Sequence, residues 1–341
     1  MLSLREYLYV DADKVRSLLT QLDGGVAEET RRTEKTIKTT TGGVKSIASH
    51  ERNWGTEEYV QKSLADAIYS DLEEILEVNQ LLTDVSSILA SPEAWTNGSL
   101  QRDMPPGTLI RVTSQGSLFD ARYVGKLFAG IGSTILGMSK ITPQLFEQSE
   151  SRKSGSQKVK GGSRQRDFSS TPDLSGQIED EIKDFPTLTD GEDLNPEFLR
   201  AFVRIARGVF QPGLHLSLLP CSNKSYAVNI RLQEGRRHLE SNPEMVFARY
   251  GFSPQQWTVV GTLGCHSPGK ENAAPDGSEI AQAFIEGDIN RNKFAQGLNA
   301  YVEHFARIGF ADVPQYPSFS LVPLAVYRTV GTNNEMLPAS L

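Results

Sequence analysis

The stretch WTVVGTLGCHSPGKENAAPDGSEI, residues 257–280, decides the fold class. Its first eight residues are mostly β-branched, aromatic or small, which predicts a strand. Gly, Pro and Asn residues follow, which are typical of a loop, and a helical apolar period begins near Ser278. Strands that alternate with helices in this way predict a sheet with helices packed on it. The predicted fold class is therefore α/β or α+β.

The same alternation continues towards both ends of the chain. EYLYV (6–10) predicts a strand, and Asp11 or Asp13 can cap the helix that follows. GTLIRVTSQGSLFD (107–120) predicts a strand with a turn. Other predicted elements include helices over 56–76, 196–210, 235–250 and 278–308, and strands over 214–219, 226–232 and 318–330.

Chain length and composition predict two α/β domains. A chain of 341 residues is long enough for about two cores. Residues 151–166 contain six basic and no acidic side chains in a Gly/Ser-rich background, and such segments bury too little apolar surface to order themselves. We therefore predict a disordered linker over 148–192. It would join an N-terminal domain over 1–147, which carries a mobile Thr-rich loop at 28–46, to a C-terminal domain over 193–332.

Charge and cysteine content limit the classes of function. The net charge of −7 argues against a protein that coats nucleic acid through its overall charge, although the basic half of the linker could contact phosphates. Cys221 and Cys265 are too few for a disulfide framework. Charged residues in MLSLREYLYVDADK stand where a secretory signal needs an apolar core. We expect a cytoplasmic protein.

The longest apolar segment is YVGKLFAGIGSTILGMSK, residues 123–140. It contains Lys126 and is shorter than the roughly 20 residues that a membrane-spanning helix needs. We predict a buried helix in which Gly130 and Gly132 lie at a close helix contact. Insertion of 123–140 into a membrane or a partner is the alternative.

A partial nucleotide-binding motif lies in the loop after the 257–264 strand. Gly264, Gly269 and Lys270 match the glycines and the lysine of a phosphate-binding loop, G-x-x-x-x-G-K-[ST]. Glu271 stands where the motif needs a hydroxyl for Mg²⁺, and its carboxylate would repel phosphate. The next helix is expected to begin near Asp276, too late to place its N-terminus at Lys270. These three residues are the candidates for a cofactor site, but we expect no cofactor.

No metal site or catalytic residue is predicted. His215, Cys221, Cys265 and His266 lack the spacing of a zinc site. Pairing of Cys265 as a nucleophile with a histidine base would require a proximity that the sequence does not indicate.

Four segments resemble a widespread bacterial family that is described only as a domain of unknown function. The resemblance implies a bacterial origin and the same two-part architecture, and it carries over no catalytic residue. The segments are REYLYVDADKVRSLLTQLDGG (5–25), GTLIRVTSQGSLFDARYVGKL (107–127), RYGFSPQQWTVVGTLG (249–264) and PLAVYR (323–328).

Two hypotheses about function follow. The first is a non-enzymatic interaction or regulatory protein that binds another protein, with phage defence or a mobile element as a candidate setting. The second is a phosphoester- or nucleotide-processing enzyme that binds anions with basic side chains. Convergence of those side chains in one pocket would favour the enzyme. The candidate anion-binding residues are Arg231, Arg236, Arg237, His266 and Lys270.

Overall fold

The computed structural model has a mixed α+β fold. The predicted Thr-rich loop and almost all of the predicted linker lie outside the residues that it describes. The described residues are 4–22, 57–141, 182, 184, 195–233, 238–239, 241–269, 275, 277–285 and 288–331.

The strands and helices are numbered in chain order. The strands are β1 (Leu4–Val10), β2 (Thr83–Asp84), β3 (Leu109–Phe119), β4 (Leu214–Leu219), β5 (Val228–Leu232), β6 (Gln255–His266), β7 (Phe284–Ile285), β8 (Asp288–Ile289) and β9 (Phe319–Val330). The helices are α1 (Ala12–Leu22), α2 (Glu57–Val78), α3 (Ser86–Leu89), α4 (Pro92–Thr96), α5 (Ser99–Asp103), α6 (Ala121–Ile141), α7 (Pro196–Val209), α8 (Pro243–Tyr250), α9 (Ser278–Ala281) and α10 (Arg291–Arg307).

Five strands close on themselves as a small mixed barrel. β3, β4 and β5 form an antiparallel meander, and β5 pairs with β9 in parallel. β6 is antiparallel to both β9 and β3, which completes the ring. β1 adds to β9, and β2 adds to β3. Because β3 and β9 are long, each pairs with β6 on one side and with two shorter strands on the other.

Buried and partly exposed residues alternate along the strands, and the buried residues face the inside of the barrel. In β4, Leu214, Leu216 and Leu218 are buried, whereas the residues between them are partly exposed, as a period of two requires. α8 lies between β5 and β6 in sequence and buries Val246 and Phe247. The apolar core of the barrel is therefore formed by alternate strand residues, with further apolar burial from α8.

α1 and α2 pack on the sheet through a second apolar cluster. Val15 and Leu19 of α1 are buried there, as the helical period predicts. Tyr69 and Leu72 of α2 are fully buried in the same cluster, together with Val260, Leu324, Ala325 and Tyr327 of β6 and β9. This cluster holds the N-terminal helices against strands that lie near the other end of the chain.

The sheet joins strands from both sides of the predicted linker. β1 and β3 belong to the predicted domain 1–147, yet they pair with β4, β6 and β9 of the predicted domain 193–332. One compact unit is formed by Met1–Phe119 together with Gly213–Leu341, and a second by Asp120–Pro212. The sequence-based boundaries do not describe the sheet, because the pairing of distant strands leaves no local signal in the sequence.

The Asp120–Pro212 unit contains a small core between α6 and α7. Ala129 and Ile135 of α6 pack with Leu199 and Val203 of α7. Ile182 joins this core at 1% exposure, so this position of the predicted linker is packed. Gly132 is buried, but a Cβ added to Gly130 would meet nothing within 4 Å. The predicted close contact at Gly130 is therefore wrong.

The C-terminal part of the 257–280 stretch differs from its prediction. The predicted helix over 278–308 is divided into α9, the β7–β8 hairpin and α10. Gly277 precedes α9 with φ +79°, and the Asn290 side chain accepts a hydrogen bond from the Lys293 N–H to cap α10. The apolar residues of α9 and α10 follow a helical period, so the sequence pattern does not indicate the short β7–β8 hairpin between the two helices.

A β-bulge at Gly261 fixes the pairing of β6 with β9. Gly261 lies opposite Pro323, whereas Val260 lies opposite Ala325, so Leu324 is the additional residue. The Leu324 carbonyl accepts a hydrogen bond of 2.8 Å from the Asp11 N–H, next to the start of α1. A Cβ at Gly261 would overlap the Val322 carbonyl oxygen and lie 3.0 Å from Pro323 Cα. The close approach of two backbones therefore requires glycine.

We predict that Gly261→Ala lowers the free energy of unfolding by about 1–3 kcal/mol, because the backbone of β9 must move to admit the methyl group. Gly269→Ala is the matched control, since a Cβ there meets nothing within 4 Å. Urea unfolding followed by circular dichroism measures both variants. Equal stability of the two variants would contradict the observed bulge geometry.

Candidate functional site

The residues of the partial nucleotide-binding motif do not form a phosphate cradle in the described part of the loop. Gly264 lies inside β6, where a Cβ would come within 2.7 Å of Ser320 Oγ, so close strand packing explains this glycine. Gly269 follows the strand without helical structure, and Lys270 lies outside the described residues. α9 begins only at Ser278. The geometry observed for Gly264 and Gly269 is that of a strand and a loop.

His266 and Cys265 have local structural partners. The Nε2 atom of His266 lies 2.8 Å from the Met104 carbonyl oxygen, and its ring lies against Phe319. Cys265 Sγ is 3.2 Å from Ser320 Oγ. Among the described residues, no group of three or more His, Cys, Asp and Glu side chains is arranged to hold a metal ion.

A buried ion cluster lies between α2 and the sheet. Glu73 of α2 is 2% exposed and forms ion pairs with Arg5 of β1 and Arg111 of β3. Arg111 Nη2 donates to Glu73 Oε1 at 2.6 Å, and the same nitrogen also pairs with Glu77. The Tyr327 hydroxyl of β9 donates to Glu73 Oε1 at 2.8 Å. One carboxylate thus contacts three strands.

The protonation states of the Glu73 partners are fixed by burial and by charge. Burial alone would lower the pKa of Arg111, but its hydrogen bonds to Glu77 and Glu73 outweigh burial and raise that pKa above its usual value. Burial raises the pKa of Tyr327, and the negative charge of Glu73 raises it further. Arg111 therefore stays charged and Tyr327 stays a hydrogen-bond donor at neutral pH.

An open depression of about 450 Å³ lies beside the ion cluster and is lined by side chains of β1 and α2, including Tyr7, Ser70 and Glu74. Two carboxylates and two guanidinium groups balance in the cluster, and Glu73 accepts from both guanidinium groups and from Tyr327. Loss of one partner from such a buried pair is strongly destabilising, because the remaining charges are left without a counter-ion. We therefore assign the cluster a structural role.

Exposed apolar side chains are concentrated on a different surface of the protein. We call residues 278–313, between β6 and β9, the apolar insertion. Leu298, Val302 and Phe305 follow each other at i, i+4 and i+7 on α10 and are 44%, 56% and 48% exposed. Other exposed large apolar residues of the apolar insertion are Phe284, Ile289, Ile308, Phe310 and Val313.

Comparison with known proteins identifies the family. A family model described as Domain of unknown function (DUF6414) matches residues 4–327. The chain belongs to the DUF6414 family. The resemblance inferred from the four sequence segments is thereby confirmed. No curated protein matches this DUF6414 chain, and no solved structure matches it.

The segment 123–140, for which membrane insertion is the alternative, lies within α6 of this DUF6414 chain. Throughout the described ranges, no helix has both the length and the apolar character that crossing a bilayer requires.

Sequence reasoning missed both the ion cluster and the apolar insertion. Arg5, Glu73 and Arg111 are far apart in the chain, and each has neighbours of ordinary amphipathic pattern, so no local spacing marks them. The stripe on α10 is visible in the sequence as Leu298, Val302 and Phe305. A buried helix face has the same spacing, and only the structure shows that this stripe is exposed.

We predict that Glu73→Ala lowers the free energy of unfolding by about 3–5 kcal/mol, because it leaves the guanidinium groups of Arg5 and Arg111 without their buried counter-ion. Glu74→Ala is the matched control, since Glu74 is exposed on the same helix. Urea unfolding measures both variants. If Glu73→Ala were as stable as Glu74→Ala, the cluster would not hold α2 on the sheet.

Proposed function

We propose that this DUF6414 protein is a non-enzymatic interaction protein that binds a partner protein through the apolar insertion. The observation that carries the proposal is the exposed stripe of Leu298, Val302 and Phe305 on α10. Exposed apolar patches on soluble proteins commonly mark interaction sites. Three apolar side chains at i, i+4 and i+7 are also the spacing at which a helix is recognised by an apolar groove.

The stripe is held by a supported helix. Asn290 caps the N-terminus of α10, and Gly297 brings α10 into close contact with α9, since a Cβ there would lie 2.7 Å from Ile280 Cγ1. Arg307 and Glu303 form an i,i+4 ion pair beside the stripe. A helix anchored in this way presents its apolar side chains with little loss of conformational entropy on binding.

The expected setting in phage defence or a mobile element stays a prediction, as does the cytoplasmic location. The enzyme alternative depends on convergence of the basic candidates in one pocket, and only His266 and Arg231 among them lie in the described part of the chain. His266 contacts Met104, and Arg231 forms an ion pair with Asp312. Lys270, Arg236 and Arg237 lie outside the described residues.

We predict that Val302→Glu combined with Phe305→Glu abolishes capture of the partner from a lysate of the native host. A charge at the centre of an apolar interface is desolvated without compensation, and loss of such anchors weakens binding by about 2 kcal/mol or more, roughly 30-fold. Affinity capture with quantitative mass spectrometry is the measurement. Both side chains are about half exposed, so the double variant should keep the wild-type circular dichroism spectrum.

Val78→Glu is the matched control, because Val78 is an apolar residue that is 75% exposed on α2, outside the apolar insertion. It should capture the same partner as the wild type. Two results would contradict the proposed role of the apolar insertion. The double variant could still capture the partner, or Val78→Glu could lose the partner to the same extent.

A further inference from the structure

The order of strands in the barrel is that of an OB-fold. β3, β4 and β5 form the antiparallel meander of the first three strands, β6 is the fourth strand, and β9 is the fifth. The third and fifth strands close the ring in parallel, and α8 stands between the third and fourth strands. A five-stranded Greek-key barrel of this kind binds oligonucleotides or oligosaccharides on the face of its second and third strands.

That binding face corresponds to the outer surface of β4 and β5 in this chain. The connection between the fourth and fifth strands, which borders the same face in an OB-fold, is the one that contains Asp312. Strand order alone does not establish function, so the side chains on the face have to support it.

One row of side chains crosses the outer face of three strands. Phe119 of β3 pairs with His215 of β4, and His215 pairs with Arg231 of β5. The rings of Phe119 and His215 are 6.4 Å apart between centroids. Leu118, Leu216 and Ile230, which alternate with this row, face the buried interior. The neighbouring row on the same face is Ser117, Ser217 and Asn229.

The chemistry of these rows matches that of an unpaired nucleic acid strand. Aromatic rings accept stacked bases, and a guanidinium group binds phosphate oxygens. Hydroxyl and amide side chains such as Ser217 and Asn229 donate to and accept from base edges and sugars. A single strand offers all three kinds of group at once.

A carboxylate already contacts the basic part of the row. Asp312 Oδ2 lies 3.5 Å from Arg231 Nη1 and 3.8 Å from His215 Nε2. The Asp312 and His215 side chains are 20% and 15% exposed, whereas the Arg231 side chain is 49% exposed. The Asp312 carboxylate thus lies beside Arg231 and His215, and it belongs to the connection that borders the face.

We infer that the outer face of β3, β4 and β5 binds single-stranded nucleic acid, with a phosphate taking the place of the Asp312 carboxylate at Arg231. Asp312 competes with that phosphate and weakens binding. This site is separate from the stripe on α10 and does not depend on the proposed protein partner.

The test uses the full-length protein and a fluorescently labelled oligothymidylate, with fluorescence anisotropy recorded at several salt concentrations. Arg231→Ala should weaken binding by about tenfold or more, the effect of losing a hydrogen bond to a charged group. It should also reduce the salt dependence by about one phosphate contact. Asp312→Asn should tighten binding several-fold, because it removes the competing charge and keeps the shape of the side chain.

Arg102 and Asp103 provide matched controls, because they form an exposed ion pair on α5 with side chains 73% and 62% exposed. Arg102→Ala and Asp103→Asn change the net charge in the same way as the test variants and should leave the affinity within about twofold. Phe119→Leu should weaken binding several-fold without changing its salt dependence, since stacking neutralises no phosphate.

Three results would overturn the inference. The first is a wild-type protein that shows no saturable binding at low salt. The second is an equal effect of Arg102→Ala and Arg231→Ala, which would mean that only overall charge matters. The third is binding that is unaffected by Arg231→Ala but lost when the six basic residues in 151–166 are replaced. Thermal melts of each variant by circular dichroism separate lost binding from lost folding.

Discussion

The arrangement of the unit formed by Met1–Phe119 and Gly213–Leu341 depends on the contacts of the Glu73 carboxylate. It lies on α2 and binds Arg5 of β1, Arg111 of β3 and Tyr327 of β9. Removing a carboxylate from water is costly, and only the paired guanidinium groups and the hydroxyl offset that cost. The three strands can satisfy Glu73 together only when β1 and β3 flank the β6–β9 pair. The ion cluster therefore links α2 to an arrangement of the sheet in which Arg5, Arg111 and Tyr327 all reach the same carboxylate.

How well the sequence predicts the fold depends on how far apart in the chain the interacting residues lie. The strands 6–10 and 318–330 and the helices 56–76 and 196–210 follow local periodicity, and the structure contains them within a few residues. The pairing of β1 with β9 and of β3 with β6 depends on register across more than a hundred residues. The predicted division at the linker separates strands that pair in the sheet, because a change of composition marks an insertion as readily as a boundary between domains.

The candidate sites show the same limit. The glycine pattern around Gly264 suggested a phosphate loop, whereas that glycine serves the approach of β6 to β9. Arg231 was among the basic candidates, but its neighbours in the fold, His215 and Phe119, became visible only through strand register. The sequence identifies candidate side chains, whereas the strand topology determines which of them lie on the same face.

The connection between β6 and β9 carries one proposed binding surface and contributes Asp312 to the other. The stripe on α10 offers apolar side chains to a protein, and Asp312 contacts the basic row on the barrel. Both surfaces depend on the closed ring of strands. α10 and Asp312 lie between β6 and β9, and these strands pair with β3 and β1 from the other side of the predicted linker. The central claim is therefore that the two halves of the chain build one sheet.

Cleavage of the intact protein tests that claim most directly. A specific protease site introduced between residues 155 and 165 can be cut after folding, and the product can be analysed by size-exclusion chromatography with light scattering. The account predicts that both pieces elute together with the mass of the uncut chain and keep its circular dichroism spectrum, because β3 from one piece pairs with β4 and β6 from the other. Separation into two independently folded pieces under native conditions would contradict it.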